Sequence, residues 1–227
     1  MSTGAARIGV LGGTGPAGTA VAARLASVGY SVVIGSRSAE RAEEKAAELR
    51  GAWPSFDLDL RGGSNEAAAA CEIIVLATPW DSAATTAKEH EAALRGKVVI
   101  SMANALVRVG HEFQPLVPPR GSVAAHVQVA VPGCRVVAAM HHLPAKELGH
   151  LGEPIDSDVL ICSDDKSALE AVSAIIDRIP GCRPLDAGEL SNATAIEAFT
   201  AVLLQLNIRY KTRVAPQLNG IKGDPRK

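Results

Sequence analysis

One short stretch limits what this chain can fold into. The apolar run Ile8–Leu11 leads into Gly12-Gly13-Thr14-Gly15-Pro16-Ala17-Gly18, and a helix-forming stretch, Thr19–Gly29, follows. Gly13, Gly15 and Gly18 form a G-x-G-x-x-G pattern with a strand before it, a helix after it and a second apolar run starting near Ser31. Each glycine has its own reason. Gly13 permits the tight turn, Gly15 lets a pyrophosphate approach the backbone, and Gly18 lets the helix lie close to the strand. Pro16 suits the first helical turn, where its missing N–H costs little. Ala17 adds one of the free N–H groups at the positive helix end, which faces phosphate in such units. The expectation is a dinucleotide-binding βαβ unit.

The rest of the chain repeats that alternation. Short unbroken apolar runs recur at Val32–Ile34, Ile73–Ala77, Val98–Ile100, Val136–Met140 and Val159–Cys162. Such runs indicate strands buried on both faces. Ser38–Arg50, Trp80–Leu94 and Lys166–Ile179 read as helices, and Ser64 as the cap of a short one. The fold class predicted is α/β, a Rossmann-type doubly wound, mostly parallel sheet with a small C-terminal extension. Residues 1–140 are read as the dinucleotide-binding domain and residues 141–227 as a smaller part completing a cleft and a dimer interface. Phe56–Leu60 is a candidate edge strand. Val109–Gly121, rich in Pro, Gly and polar residues, is read as a loop and a candidate mobile lid. In Leu190–Lys211 an apolar seam (Ile196, Phe199, Leu203, Leu206, Tyr210) has near-heptad spacing. It fits either a helix packed on its own sheet or one shared across a dimer. The tail Gly220–Lys227 is expected to fray.

Composition removes several function classes. With 23 Lys+Arg against 24 Asp+Glu the net charge is −1, which argues against nucleic acid or a membrane surface as partner. Seven residues are aromatic, too few for a base-stacking platform. Cys71, Cys134, Cys162 and Cys182 lie in or beside apolar stretches with no CxxC pair, and read as inert thiols of a reducing compartment. No leader is apparent at Met1–Arg7, so a cytoplasmic protein is expected. His90, His111, His126 and His150 lack metal-ligand spacing, so no metal is expected. HExxH, GxSxG and P-loop lysine signatures are missing, which disfavours zinc hydrolysis, serine hydrolysis and phosphoryl transfer.

The end of the second strand selects the dinucleotide. An NAD site places Asp or Glu there for the ribose 2′-OH. This chain has Ile34-Gly35-Ser36-Arg37-Ser38 instead. Arg37 can fork onto a phosphate, Ser36 can donate to it, and Arg41, one helical turn on, can add a contact beside Thr14. NADP(H) is therefore expected. Ala77, Thr78 and Pro79 end another buried strand and are expected to border the nicotinamide ribose, with Trp80 either beside them or capping the next helix. Ser101–Asn104 ends the neighbouring strand in the equivalent place. Of the adjacent His141 and His142, one can face the crevice. Only 37 residues follow Leu190, little material to enclose a small substrate. An open cleft suits a flat second redox cofactor, for which orientation matters more than proton transfer.

Several segments together resemble one family. Gly12–Gly18, Ile34–Arg37, Ala77–Trp80, Ala139-Met140-His141-His142-Leu143-Pro144-Ala145, Cys162–Asp165 and Arg183-Pro184-Leu185-Asp186-Ala187-Gly188 with Leu190-Ser191-Asn192 resemble the NADPH-dependent reductases of coenzyme F420, a deazaflavin. The match runs in order from about Arg7 to Tyr210. The resemblance implies a homodimeric oxidoreductase moving hydride between NADP(H) and F420, the two rings stacked in one cleft. It places Thr14, Ser36, Arg37 and Arg41 on the 2′-phosphate side, and it selects His141, with Leu143, as lining the deazaflavin site. Two stretches depart from the family: Asn104-Ala105-Leu106 lacks a proline, and Thr212–Gly220 differs from the Gly-containing ending. Competing readings are an NADPH-dependent reductase of a flavin, ferric chelate, imine or carbonyl, and a non-catalytic NADP(H) sensor.

Overall fold

The structure, a computed structural model, describes residues 6–221. Most of the tail expected to fray lies outside the described residues. In chain order the elements are β1 (Ile8–Leu11), α1 (Pro16–Ser27), β2 (Val32–Ser36), α2 (Ala39–Ala52), β3 (Leu60–Ser64), α3 (Asn65–Ala69), β4 (Ile73–Leu76), α4 (Trp80–Glu89), α5 (Glu91–Leu94) and β5 (Val98–Ser101). There follow β6 (Leu106–Val109), β7 (Glu112–Pro115), α6 (Val123–Ala130), β8 (Arg135–Ala138), α7 (Ala145–Gly149), β9 (Ser157–Ile161), α8 (Lys166–Ile176), β10 (Cys182–Asp186) and α9 (Ala193–Tyr210).

Six strands form one parallel sheet in the order β3-β2-β1-β4-β5-β8. The order reverses between β1 and β4, and a crevice opens there beyond the strands' carboxyl ends. β1 and β5 are buried throughout and β4 nearly so, as expected for a sheet with helices on both faces. This is the Rossmann-type α/β fold expected from the alternation. β9 and β10 make a separate parallel pair, tied to the main sheet by one antiparallel bridge, Ala138 to Cys162.

Several elements differ from expectation, each for a physical reason. The edge strand is Leu60–Ser64, not Phe56–Leu60, and its register pairs Val32 with Leu60 through Ser36 with Ser64. Its Leu-Arg-Gly-Gly-Ser sequence is a poor strand former. Glycine is required because α2 lies on it: a Cβ on Gly62 would stand 2.0 Å from the Glu43 amide nitrogen. The expected loop Val109–Gly121 instead begins within an antiparallel hairpin, β6–β7, whose turn is made by Gly110 at φ 61° and His111. That hairpin packs on α9. The strand expected to reach Met140 stops pairing at Ala138, and Met140 takes φ 61°, which turns the chain. Trp80–Leu94 is two helices broken at His90. β10 carries Pro184, tolerated because the strand is an edge of its own pair. The α9 seam divides: Ile196 and Leu203 are buried, whereas Phe199 and Tyr210 are exposed along with Val202 and Ile208. All four cysteines are free and buried, and burial pushes the Cys162 thiol up to about 12 and Cys182 to about 11.

Candidate active site

The glycine turn is set by close contacts. Gly12 sits at φ +68°, and a Cβ there would meet Thr78 Cγ2 at 2.6 Å. A Cβ on Gly18 would stand 2.6 Å from Gly13 Cα, so α1 lies directly on the turn. Gly15 is different. Its nearest protein atom to such a Cβ is 4.0 Å away, so the absent side chain leaves open space at the helix end. Gly15 is the N-cap of α1 with no side chain capping it, and Pro16 occupies the first turn. Unpaired N–H groups and the positive helix end are what an anionic group seeks.

A cleft of about 990 Å³ opens on this turn. Thr14, Gly15, Pro16 and Ala17 form one wall, and Ser36, Arg37, Ser38 and Arg41 another. Ala77, Thr78, Pro79 and Trp80 lie at the end of β4, and Met102, Ala103 and Asn104 beyond the end of β5. The structure thus brings the predicted dinucleotide residues together. Gly13 and Gly18 lie behind the turn and shape it without lining the cleft.

The 2′-phosphate corner is locally built. Ser38 Oγ caps α2 by accepting from the Arg41 N–H at 3.2 Å and donates to Glu40 at 2.9 Å. Ser36 Oγ accepts from the Ser38 N–H at 3.3 Å. Arg37 and Arg41 are in no ion pair among the described residues. Two unpaired guanidinium groups beside hydroxyls fit a phosphomonoester, and the strand end offers no carboxylate for a bare ribose diol.

Asn65 and the polar face of α4 (Ser82, Thr85, Thr86, Glu89) also line the cleft and were not foreseen. Asn65 Oδ1 lies 3.4 Å from the Gly12 N–H and braces the turn from the start of α3. The spacing of the α4 residues, all on one helical face, was the available signal. Thr78 Oγ1 is buried at the cleft with no protein partner.

His141 and Leu143 sit one layer behind. Asn104 Nδ2 donates to the His141 carbonyl at 2.6 Å, and Thr200 Oγ1 of α9 donates to Asn104 Oδ1 at 3.2 Å. His141 is 5% exposed, and neither ring nitrogen has a partner among the described residues. Burial, then the adjacent His142 ring, holds His141 well below the usual imidazole range, so it is neutral at physiological pH. His142 faces the second sheet: its Nε2 sits between the Leu160 amide and the Asp158 carbonyl, at 3.3 and 3.1 Å.

The family model for NADP oxidoreductases, coenzyme F420-dependent, matches residues 7–105. The F420-dependent NADP reductase of Methanocaldococcus jannaschii is 35% identical over 212 residues, which are 91% of this chain and 95% of that one. The chain belongs to the F420-dependent NADP reductase family. The reductase of Methanothermobacter marburgensis is also 35% identical, covering 92% of this chain and 96% of its own. A crystal structure from Arthrobacter sp. FB24, provisionally assigned to the F420-dependent NADP reductases, superimposes with a TM-score of 0.76 at 24% identity, over 93% of this chain and all of that one. At that identity the superposition speaks for the fold. In this family member the glycine cradle and the cationic corner both lie within the segment that the family model matches, whereas His141, Leu143 and Thr200 lie beyond it.

Proposed function

We propose that this chain is an oxidoreductase that transfers a hydride between NADP(H) and the deazaflavin coenzyme F420. One observation carries this reading: a single cleft joins an open glycine cradle and two unpaired arginines to a far end at Asn104, beside the family's particular His-x-Leu-Pro segment. When bound, the nicotinamide and deazaflavin rings supply the carbons between which hydride moves. The chain's own residues bind and orient. The α1 N-terminus takes the pyrophosphate, and Thr14, Ser36, Arg37 and Arg41 take the 2′-phosphate side. Ala77, Thr78 and Pro79 border the nicotinamide ribose, Thr78 offering its unpartnered hydroxyl. Asn104 holds the 141–143 backbone, so that His141, as a neutral group, and Leu143 support the acceptor end from one layer behind the cleft wall. No side chain is required to donate a proton to the carbon that receives hydride, so positioning is the main contribution.

The same reading divides the chain near residue 140, the C-terminal part completing the acceptor side. It makes the enzyme a homodimer, supported by the exposed apolar face of α9 (Phe199, Val202, Tyr210). It places the enzyme in the cytoplasm, supported by four free buried thiols. Among the described residues no helix is long and apolar enough to cross a membrane.

The test is direct. NADPH added to protein and oxidised F420 should bleach the deazaflavin absorbance, while NADH should do so far more slowly. Bleaching of an ordinary flavin alone, or tight NADPH binding without turnover of any acceptor, would replace this assignment. Light scattering should give twice the 23.5 kDa chain mass.

A further inference from the structure

A buried cation with no carboxylate partner among the described residues stands on α1. Arg24 is 1% exposed. Its side chain leaves α1 and ends among the carbonyls at the close of α7. Nε donates to the Leu148 carbonyl at 3.0 Å. Nη2 donates to Glu147 at 3.0 Å and to His150 at 2.6 Å, and both Nη atoms reach Glu153 at 3.3 Å. Every acceptor is main-chain oxygen. Desolvation alone pulls the guanidinium below its usual range, and removing such an ion from water costs several kcal/mol. Charge-assisted hydrogen bonds and the negative end of α7 offset that cost.

An apolar side chain would fill the space without the desolvation cost. What arginine adds is a fixed geometry. Its planar fork presents donors at set angles, so each carbonyl it binds has one place to be. The contact is also close: a Cβ on Gly149 would meet Ala20 Cβ of α1 at 3.4 Å. Trp53 packs edge-on against His150, with ring centroids 5.3 Å apart, and Arg213 pairs with Glu147 at 3.4 Å, so the 147–153 turn is also braced from its other sides.

The two tethered elements face different partners. α1 begins at the glycine cradle. α7 begins directly after Pro144, and its first intrahelical bond runs from the Leu148 N–H to the Pro144 carbonyl at 2.9 Å. A helix of five residues has no slack between its two ends. Holding its C-terminal carbonyls therefore holds His141–Leu143 as well.

We infer that Arg24 is a positioning residue for the acceptor: through the α7 carbonyls it sets the place of the 141–143 segment relative to the cradle, and so governs acceptor affinity while touching neither cofactor. This rests on the proposed assignment of that segment to the deazaflavin side.

The test compares Arg24→Met and Arg24→Lys with wild type. NADPH affinity is read by nicotinamide fluorescence and F420 affinity by deazaflavin fluorescence, alongside KM, kcat, Tm and amide hydrogen exchange. Arg24→Met should raise the F420 dissociation constant and KM by about tenfold or more. NADPH affinity should stay unchanged, and exchange should rise over residues 141–150 but not over α1. Arg24→Lys, which keeps the charge and some donors, should recover part of the loss. Should Arg24→Met not fold, Gly149→Val supplies the second route, since it wedges α7 from α1 with Arg24 intact and should give the same split. Equal losses for both cofactors, or a lower Tm with both affinities unchanged, would reduce Arg24 to a stability role and overturn the inference. A wild-type protein that binds NADPH but neither binds nor reduces F420 would overturn the proposed function, and this inference with it. Wild-type turnover with unchanged variants would overturn the inference alone.

Discussion

At the glycine turn, position is set by side chains that are missing; around the 141–143 segment and α6, by polar side chains that are buried. Gly13 and Gly18 bring α1 against the β1 turn to distances at which any Cβ would strike backbone. Elsewhere, Arg24 of α1 gathers main-chain carbonyls of the α7 turn, Asn104 holds the His141 carbonyl, and Glu197 of α9 accepts from the Val123 and Ala124 N–H groups at 2.7 and 3.1 Å, capping α6. The first device is short-range and steric. The second joins residues 124, 37 and 74 positions apart, respectively, and works by satisfying groups that would otherwise be stranded away from water. A steric seat admits no intermediate state. A hydrogen-bonded one can be weakened by degrees and can respond to pH.

The largest effect is expected where the steric device is broken. In Gly18→Val the new Cβ meets Gly13 backbone and no flexible atom can yield. NADPH affinity should fall by roughly a hundredfold or more, about 2.7 kcal/mol, or the protein should fail to fold, as fluorescence titration and circular dichroism would reveal. Wild-type affinity in this variant would dissolve the contrast between the two devices.

Arg37→Ala probes the cationic corner and should rank second. A hydrogen bond to a charged group is worth roughly 1.5–3 kcal/mol, so the NADPH KM should rise by about ten- to a hundredfold while that for NADH is unchanged. Equal changes for both would remove Arg37 from the 2′-phosphate site.

Glu197→Gln should have the smallest effect and bears on the buried polar side chains. Burial raises this carboxyl from 4.5 to about 7 although two α6 amides pull the other way. The folded protein therefore holds the proton more tightly than the unfolded chain does. The stability from Glu197 is complete below its unfolded pKa and is lost as pH rises through about 7. The buried His141 and His142 act oppositely, since both lie below the usual imidazole value and favour unfolding as pH falls. The difference in Tm between wild type and Glu197→Gln isolates the carboxyl: the variant should gain relative to wild type from about pH 5 to about pH 8. A difference that does not vary with pH would mean that Glu197 does not titrate in this range.

The same contrast explains what could be read from residues alone. The cradle was legible because steric needs write themselves as residue types at set spacing, here Gly12–Gly18 and the acid-free Ser36-Arg37. β3 escaped because Gly62 makes room for α2 and Gly63 lies against α3, so the usual β-branched signal is absent. The β6–β7 hairpin was hidden by prolines and a glycine that suit a loop equally well. Arg24 was invisible for a deeper reason. Its acceptors are carbonyls, which every residue carries, so no partner type marks the far end. The histidine pair was marked by its strand-end position and resemblance to a family chose His141 and added Leu143; the structure sets them behind Asn104, a relation no local pattern encodes.

The scarcity of aromatic residues has a practical consequence. Of the two tryptophans, Trp80 borders the cleft and Trp53 packs on His150 in the turn that Arg24 holds. Intrinsic emission therefore has two separable sources. Replacing either indole by phenylalanine leaves a native optical probe at one location, so arrival of the dinucleotide and loosening of the α7 turn can be timed independently without attaching any dye.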